Sequence, residues 1–234
     1  MNSNQRVLII IPAYNEESNI LRVVKQLKEI EYPVSYVVIN DCSKDDTKKI
    51  LLENSINHVD LPVNLGIGGA VQTGYIYANE AGYDIAIQLD GDGQHNPEYI
   101  INLIDALNKE DADVVIGSRF VENQGFQSTF MRRMGIKILS TLIKITTGQT
   151  VLDATSGFRA TNRKGIELFA RDYAQDYPEP EAIITASKAG LKTIEIPVVM
   201  EERSSGKSSI GGLSSLYYMI KVSIAIIICS LKKG

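Results

Sequence analysis

A chain of 234 residues with 24 Lys and Arg against 28 Asp and Glu carries a net charge of −4 at neutral pH, which excludes the general nucleic-acid affinity of a basic surface. Hydrophobic residues make up 44% and charged residues 22%, enough for a sizeable core and too ordinary for extensive disorder. The length fits one α/β domain, and Cys42 and Cys229 lack the spacing of a zinc site and read as reduced, structural thiols of a cytoplasmic protein.

Met1 to Arg6 lead into a strand without the apolar core of a signal peptide, so the active face is expected to be cytosolic. Val7 to Ile11 is a continuous β-branched run of the kind covered on both faces in a parallel sheet, and Pro12-Ala13-Tyr14-Asn15-Glu16 stops it. Ile20, Val23, Val24, Leu27 and Ile30 then recur at helical spacing. Tyr36 to Ile39 is a second strand ending in Asn40-Asp41-Cys42-Ser43, and Ser43 with Asp46 predicts a capping box for the following helix. After a short apolar stretch near Val59 to Leu61, Asn64-Leu65-Gly66-Ile67-Gly68-Gly69-Ala70 opens a helix to about Ala81. A glycine-rich start of this kind lets backbone approach a ligand and points N–H groups outward, which makes Gly68 a candidate binding position.

Ile85 to Leu89 alternates as a buried strand and runs into Asp90-Gly91-Asp92-Gly93-Gln94-His95. Pro97 is expected in the first turn of the next helix, whose buried side is Ile100, Ile101, Leu103, Ile104 and Leu107. Asp113 to Arg119 is a fifth strand. From Ser128 to about Thr147 a helix carries Met131, Met134, Ile138, Leu142 and Ile145 on one stripe, expected to face the core. Arg132, Arg133, Lys137 and Lys144 lie on its remaining surface, either solvated or directed at an anionic partner. Asp153 to Arg159 returns to the core, Asp176 to Glu181 opens another helix, and Thr193 to Val199 is a late strand that Pro197 assigns to a sheet edge.

Two carboxylates spaced i, i+2 around a glycine at a strand's end hold two hard oxygen ligands on a tight turn. That suits Mg²⁺ or Mn²⁺ bound to phosphates, with Asp90, Asp92 and Gln94 as the metal set. Alone, such a turn is equally a solvated Asp-Gly turn. Here three strands end in polar groups at one edge, Ala13 to Glu16, Asn40 to Ser43 and Asp90 to Gln94, and strand carboxyl ends flank the nucleotide crevice of an open parallel sheet. Asp41 is positioned to accept from a base or ribose hydroxyl, and Arg119, Arg133, Arg203 and Lys207 are candidates for further anionic groups. A metal-bound nucleoside diphosphate that must leave is the signature of transfer from an activated donor.

Ile11 to Glu17, Asn64 to Ala70, Asp90 to His95, Gly117-Ser118-Arg119, Thr155 to Arg159 and Arg203 to Gly206 together resemble family 2 glycosyltransferases of the GT-A fold, within them the dolichyl-phosphate mannose synthase group and its bacterial polyprenyl-phosphate relatives. The resemblance covers roughly Val7 to Ile210. It implies a mostly parallel sheet flanked by helices and an inverting transfer of sugar from a nucleotide sugar. By it Pro12, Tyr14, Glu16 and Asp41 contact the nucleoside, and Asp90, Asp92 and Gln94 surround the metal. Arg119, Arg133 and Ser156 face the acceptor phosphate, and Arg203 sits on a loop that closes over the donor diphosphate. Asp92, Arg119, Arg133 and Arg203 are thus the expected catalytic set. Two departures stand out: Cys42 replaces the usual glycine after Asp41, so that turn is expected to avoid positive φ, and Ser208-Ser209 follow Lys207 where the family's loop often ends in Ser-Lys.

Residues 1–212 are expected to form the catalytic domain and 213–234 an apolar helix. Leu213, Leu216, Tyr217, Ile220, Ile224, Ile227, Ile228 and Leu231 share one side, closed by Lys232 and Lys233. At roughly 1.5 Å per residue it is about 28 Å long, barely a hydrocarbon thickness. With Lys221 near its middle, it reads as a helix lying in the membrane interface or docked on a small membrane-protein partner, against the alternative of packing on its own core. The expected location is peripheral, at the cytoplasmic face of the cell membrane, with homo-oligomerisation left open. The leading function is transfer from a UDP-hexose or UDP-N-acetylhexosamine to polyprenyl phosphate, an acceptor already ionised that needs no strong base. Transfer to a carbohydrate hydroxyl would instead need a carboxylate base, for which Glu181 is the candidate. A non-catalytic nucleotide-sugar-binding subunit is the reading from another class, and His58 and His95 are expected to be a surface loop residue and a support of the aspartate turn.

Overall fold

A computed structural model describes residues 5–122, 130–200 and 212–231 of the chain. Seven strands form one sheet: β1 (Val7–Ala13), β2 (Ser35–Asn40), β3 (His58–Asp60), β4 (Ile85–Gln88), β5 (Val114–Ser118), β6 (Arg159–Asn162) and β7 (Thr193–Pro197). Its order is β3-β2-β1-β4-β6-β5-β7. Around it lie α1 (Ile20–Lys28), α2 (Thr47–Glu53), α3 (Gly66–Glu80), α4 (Tyr99–Lys109), α5 (Phe130–Thr147), α6 (Arg163–Arg171), α7 (Pro178–Lys188) and α8 (Gly212–Leu231). All pairings are parallel except those of β6, which runs antiparallel to both β4 and β5.

The alternation of β1 explains its central place. Leu8 and Ile10 join Val37, Ile39 and the inner faces of α3 and α6 in one core layer. Val7, Ile9 and Ile11 join Val38, Ile87 and the inner faces of α1 and α4 in the other. With both faces covered, a continuous apolar run is the only sequence that fits, and each fully buried Ile contributes on the order of 1.5–3 kcal/mol. Gly74 lets α3 lie close on β1, because a Cβ there would come within 2.2 Å of Ile10.

The antiparallel β6 was not legible as a strand. Its buried Arg159 breaks the apolar pattern by which the other strands announce themselves. Its direction has a consequence for the site. Arg159 pairs with Gln88, so the chain enters β6 at the carboxyl end of β4 and brings the 153–158 loop to the edge where Asp90 lies. Beyond it β7 is the outer strand, as Pro197 implied.

Several local expectations are corrected. Helix α2 begins at Thr47, and Ser43 and Asp46 form no capping box. The Ser43 hydroxyl accepts from Asn15 N–H at 3.0 Å, and Asp45 accepts from Thr47 N–H at 3.0 Å. Pro97 lies in the turn before α4. His58 opens β3, its Nδ1 2.7 Å from the Ile56 carbonyl, and is not a loop residue. On α5 the inward face is Ile136, Leu139 and Ile143, so the stripe expected to face the core is turned outward: Met134, Ile138 and Ile145 are exposed and Leu142 is half-buried. The side chains of Met131, Arg132, Leu213, Leu216, Tyr217 and Ile220, together with Ser128, Lys232 and Lys233, lie outside the described part.

The turn after β2 does adopt positive φ, at Cys42 with φ of 58°, contrary to the expectation from its lacking glycine. An L-residue there costs roughly 1–2 kcal/mol, partly offset by the chain entropy that glycine would lose. Cys42→Gly should therefore leave stability unchanged or raise it by up to about 1 kcal/mol, and the β-branched Cys42→Val should lower it by at least about 1 kcal/mol; urea unfolding measures both.

Candidate active site

The strand order reverses at β1, from which the chain steps outward to β2 and β3 and then returns to β4 on the other side. Such a switch point leaves a crevice beyond the strands' carboxyl ends. Backbone bonds knit its floor. Asp41 N–H donates to the Ala13 carbonyl at 2.9 Å, and Gly91 N–H to the Pro12 carbonyl at 3.3 Å. Gly91 suits this close approach, since a Cβ on it would stand a tight 3.0 Å from the Pro12 oxygen. Asn15, at φ of 56°, accepts from Lys44 N–H at 2.8 Å, and Glu16 N–H donates to Thr47 Oγ1 at 2.9 Å, which locks the ends of β1 and β2 together. Pro12 and Ala13 are buried in this floor, Glu16 holds Asn19 Nδ2 at 2.7 Å, and Tyr14 stands exposed at the rim.

Asp41 and the glycine-rich helix start form one unit. Leu65 N–H and Gly66 N–H donate to the two Asp41 carboxylate oxygens at 2.7 and 2.9 Å, so the buried aspartate satisfies N–H groups expected to point at a ligand. Gly68 is likewise corrected. A Cβ on it would fall 2.1 Å from the Ala174 carbonyl oxygen, so its bare backbone seats α3 on the chain before α7 and is not open to a ligand. Asp41 still retains lone pairs beyond those two bonds.

Asp90 is held from behind. His95 Nε2 lies 3.2 Å from its Oδ2 and Gln88 Nε2 donates to its Oδ1 at 3.1 Å, while His95 stacks on Phe158 at 5.0 Å between centroids. His95 thus supports the aspartate turn as the sequence suggested. Burial alone would raise the Asp90 carboxyl, but the bond and charge of His95, the Gln88 amide and the charge of Arg159 hold it below the ordinary aspartate range. Its side chain remains 32% exposed, open toward the crevice. Asp92 accepts from Gln94 N–H at 3.0 Å, and Gly93 takes φ of +73° to complete the turn. Gly157 makes room for this arrangement, because a Cβ on it would press within 2.8 Å of Asp90 Oδ2.

Among the described residues no group of three or more His, Cys, Asp or Glu is placed to hold a metal ion. Two carboxylates on a glycine turn, that of Asp90 kept ionised by the histidine behind it, still make a hard-oxygen donor set. It fits Mg²⁺ or Mn²⁺ completed by oxygens from elsewhere, as for cations that bind through one or two carboxylates plus phosphates.

Of the residues assigned to the acceptor, Arg119 and Ser156 lie at the 153–158 loop and Arg133 on α5. Arg119 is buried and bidentate on Asp153, with Nε to Oδ2 and Nη2 to Oδ1 both at 2.7 Å, and also donates to Thr155 Oγ1 at 3.0 Å. Through Nε and Nη2 it holds the 153–158 loop. Ser156 is buried and donates to the Gly117 carbonyl at 2.6 Å, which ties the same loop to β5. Arg133 is exposed on α5. Glu181 lies in the first turn of α7, its N–H bonded to Tyr177 O at 3.3 Å, a position that favours a carboxylate for helix-dipole reasons. Arg203 and Lys207 lie outside the described residues.

Four residues with no assigned role complete the support. Arg159, 1% exposed, donates through Nε and Nη2 to the Ser156 carbonyl and through Nη1 to the Glu179 carbonyl. Glu195 on β7 accepts from Leu152 and Asp153 N–H at 2.6 and 2.8 Å. Tyr173 is buried beside Gln88, its hydroxyl pushed well above the usual tyrosine range by burial and by neighbouring Tyr75. Glu179, two residues before Glu181, is raised by burial against the lowering charge of Arg159, with Asp90 close enough to raise it further. It is the α7 carboxylate whose field is shared with the aspartate turn. Only Arg159 left a trace in the sequence, as the end of the Thr155 to Arg159 run.

This is the GT-A fold. Glucosyl-3-phosphoglycerate synthase of Mycobacterium tuberculosis superimposes with a TM-score of 0.73 at 21% identity over 99% of this chain and 82% of that one. Residues 8–169 match the family described as Glycosyl transferase family 2, and the chain belongs to that family. It is 31% identical over 216 residues to the UDP-N-acetylglucosamine–dolichyl-phosphate N-acetylglucosaminyltransferase of Methanococcus voltae, covering 84% of this chain and 86% of that one. It is 30% identical over 228 residues to the polyprenol monophosphomannose synthase of Mycolicibacterium smegmatis, covering 93% and 86%. The undecaprenyl-phosphate mannosyltransferase of Micrococcus luteus is 29% identical over 216 residues, with 88% of each chain covered. The protein is a family 2 glycosyltransferase of the dolichyl-phosphate mannose synthase-like group.

The Arg119–Asp153 pair makes a prediction that separates support from substrate contact. Asp153 is wholly buried, so Arg119→Ala would strand its charge and should cost about 3–5 kcal/mol in urea unfolding, far more than loss of an exposed phosphate ligand.

Proposed function

We propose that the protein moves a sugar from a nucleotide sugar to a polyprenyl phosphate, with inversion, for cell-surface polysaccharide synthesis at the cytoplasmic face of the cell membrane. The observation that carries the acceptor is the pattern among relatives: three of them are named for dolichyl, polyprenol or undecaprenyl phosphate, while their sugars differ between N-acetylglucosamine and mannose. The lipid phosphate is the shared term and the sugar the variable one. UDP-glucose and UDP-N-acetylglucosamine are the preferred donors, ahead of GDP-mannose.

In this reading Tyr14 at the rim, with Pro12, Glu16 and Asp41, receives the nucleoside. Asp90, Asp92 and Gln94 hold Mg²⁺ or Mn²⁺, which when bound supplies Lewis acidity to the departing diphosphate. Solved relatives of the same fold hold Mn²⁺ with UDP, or Mg²⁺ with UDP. His95 and Gln88 keep Asp90 ionised and aimed, and Arg119, Ser156 and Arg159 fix the loop beside it. Arg133, Arg203 and Lys207 supply positive charge to the phosphates of acceptor and donor. The acceptor oxygen arrives ionised, so no side-chain base is needed; Glu181, in its helix-start position, is not given that role.

Activity should require a divalent cation, and Asp92→Asn should lower it at least about 100-fold by weakening that electrostatic stabilisation. Full turnover in excess chelator would overturn the metal assignment.

The acceptor is tested by incubating the enzyme with a panel of radiolabelled nucleotide sugars, polyprenyl phosphate and carbohydrate acceptors, and counting lipid-extractable label. Glu181→Gln should keep turnover within about 10-fold of the parent on the lipid, whereas loss of a general base for a hydroxyl acceptor costs roughly 10²- to 10⁴-fold. A folded, donor-binding Glu181→Gln that is dead would favour the carbohydrate acceptor.

A further inference from the structure

Helix α5 has two apolar faces, and the core uses one. Ile136, Leu139 and Ile143 are buried, while Met134, Ile138 and Ile145 point outward with 46, 48 and 74% of their surface exposed. Spaced by four and seven residues, the outward three form one line along the helix. A shallow groove of about 340 Å³ runs along this face, lined by Met134, Lys137, Ile138, Thr141 and Leu142. Helix α8 repeats the arrangement. Val222 and Ile226 bury it in the core layer beside α5 and α7, and Ile224, Ile227, Ile228 and Leu231 remain 50, 44, 53 and 76% exposed. Two adjoining helices thus each present an unspent apolar row, an arrangement that soluble monomers avoid. No helix among the described residues is long and apolar enough to cross a membrane, so these rows are not a span.

Charge identifies the occupant. The chain carries 28 acidic residues, yet neither α5 nor α8 contains one, while Arg133, Lys137 and Lys144 lie exposed beside the α5 row and α8 carries Lys221. An apolar row flanked only by cations matches an anionic lipid surface, with methylenes below and phosphates at the rim. A second copy of the chain would set like charges against each other. We propose that α5 and α8 together seat the protein on an anionic bilayer. The C-terminal helix is then half of the docking surface, and the whole surface is built into the folded domain.

Flotation of the full chain with protein-free phosphatidylcholine vesicles, with and without phosphatidylglycerol, tests this in the absence of donor and acceptor. A failure here is therefore distinct from a failure of the acceptor assignment. The wild type should float with anionic vesicles, and at least about 5-fold less with neutral vesicles or at high salt. The pairs Ile138→Glu with Ile145→Glu, Lys137→Glu with Lys144→Glu, and Ile224→Glu with Ile228→Glu should each lower the bound fraction at least about 5-fold. Thermal melts and transfer to a short, water-soluble acceptor should match the parent. If a glutamate pair lowers the melt, Ile138→Ser with Ile145→Ser replaces it and should also weaken binding. Parental flotation of the folded α5 variants would overturn the proposal. So would a wild type that ignores vesicles but binds native membranes until these are treated with protease, which identifies a protein partner. A dimer that the same substitutions dissociate, without vesicle binding, would also overturn it and identify a second copy.

Discussion

Much of the site depends on one buried charge. Arg159 places a guanidinium at 1% exposure beneath the aspartate turn, where an unpaired ion would cost several kcal/mol. It is tolerated because carbonyls of Ser156 and Glu179 receive its N–H groups and because Asp90 and Glu179 lie in its field. The arrangement serves both partners. Arg159 draws the 153–158 loop and the start of α7 inward, and its charge helps keep Asp90 ionised. A second buried pair, Arg119 with Asp153, anchors the other end of the same loop, and Glu195 closes it from β7 through the Leu152 and Asp153 N–H groups.

These supports change how the polar residues at the edge are understood. Residue type alone offers Arg119 and Ser156 as ligands for a phosphate, since both side chains donate hydrogen bonds and both occur in motifs. In the folded chain Arg119 Nε and Nη2 are met by Asp153 and the Ser156 hydroxyl by the Gly117 carbonyl, so both residues also hold the loop. At the crevice itself Tyr14 is exposed and the Asp90 side chain partly so. A larger layer of buried bonds holds these groups still.

The strands with continuous or alternating apolar runs, and the three polar endings that meet at one edge, were legible because burial on both faces dictates composition directly. The aspartate turn and the supporting role of His95 were legible for a similar reason: glycine, aspartate and histidine in that order have few arrangements. Three features were not. The strand β6 is short and opens on a charge, so periodicity cannot find it. The glycines at the start of α3 have two uses, ligand approach and close packing, and only the third dimension showed that Gly68 meets Ala174 and that Asp41 caps the helix. The stripe on α5 was read as inward because apolar periodicity reports that a face avoids water, not what covers it. Ile136, Leu139 and Ile143 form a second row equally regular in spacing, and the core took that one.

The antiparallel insertion of β6 also governs the order in which the chain can assemble. The β1, β2, β3 and β4 half is complete in sequence by Gln88, yet one long edge of β4 has no partner until Arg159 to Asn162 arrive. During synthesis that edge, flanked by Ile85 and Ile87, is an open template for pairing with another nascent chain. The connection that closes it spans about 70 residues, which places the step among the slow, non-local ones. Buried Arg159 is accommodated there only with the loop and α7 in place to receive its N–H groups. The seam at β4 and β6 is thus a non-local pairing whose closure also sets the Arg159 support in place.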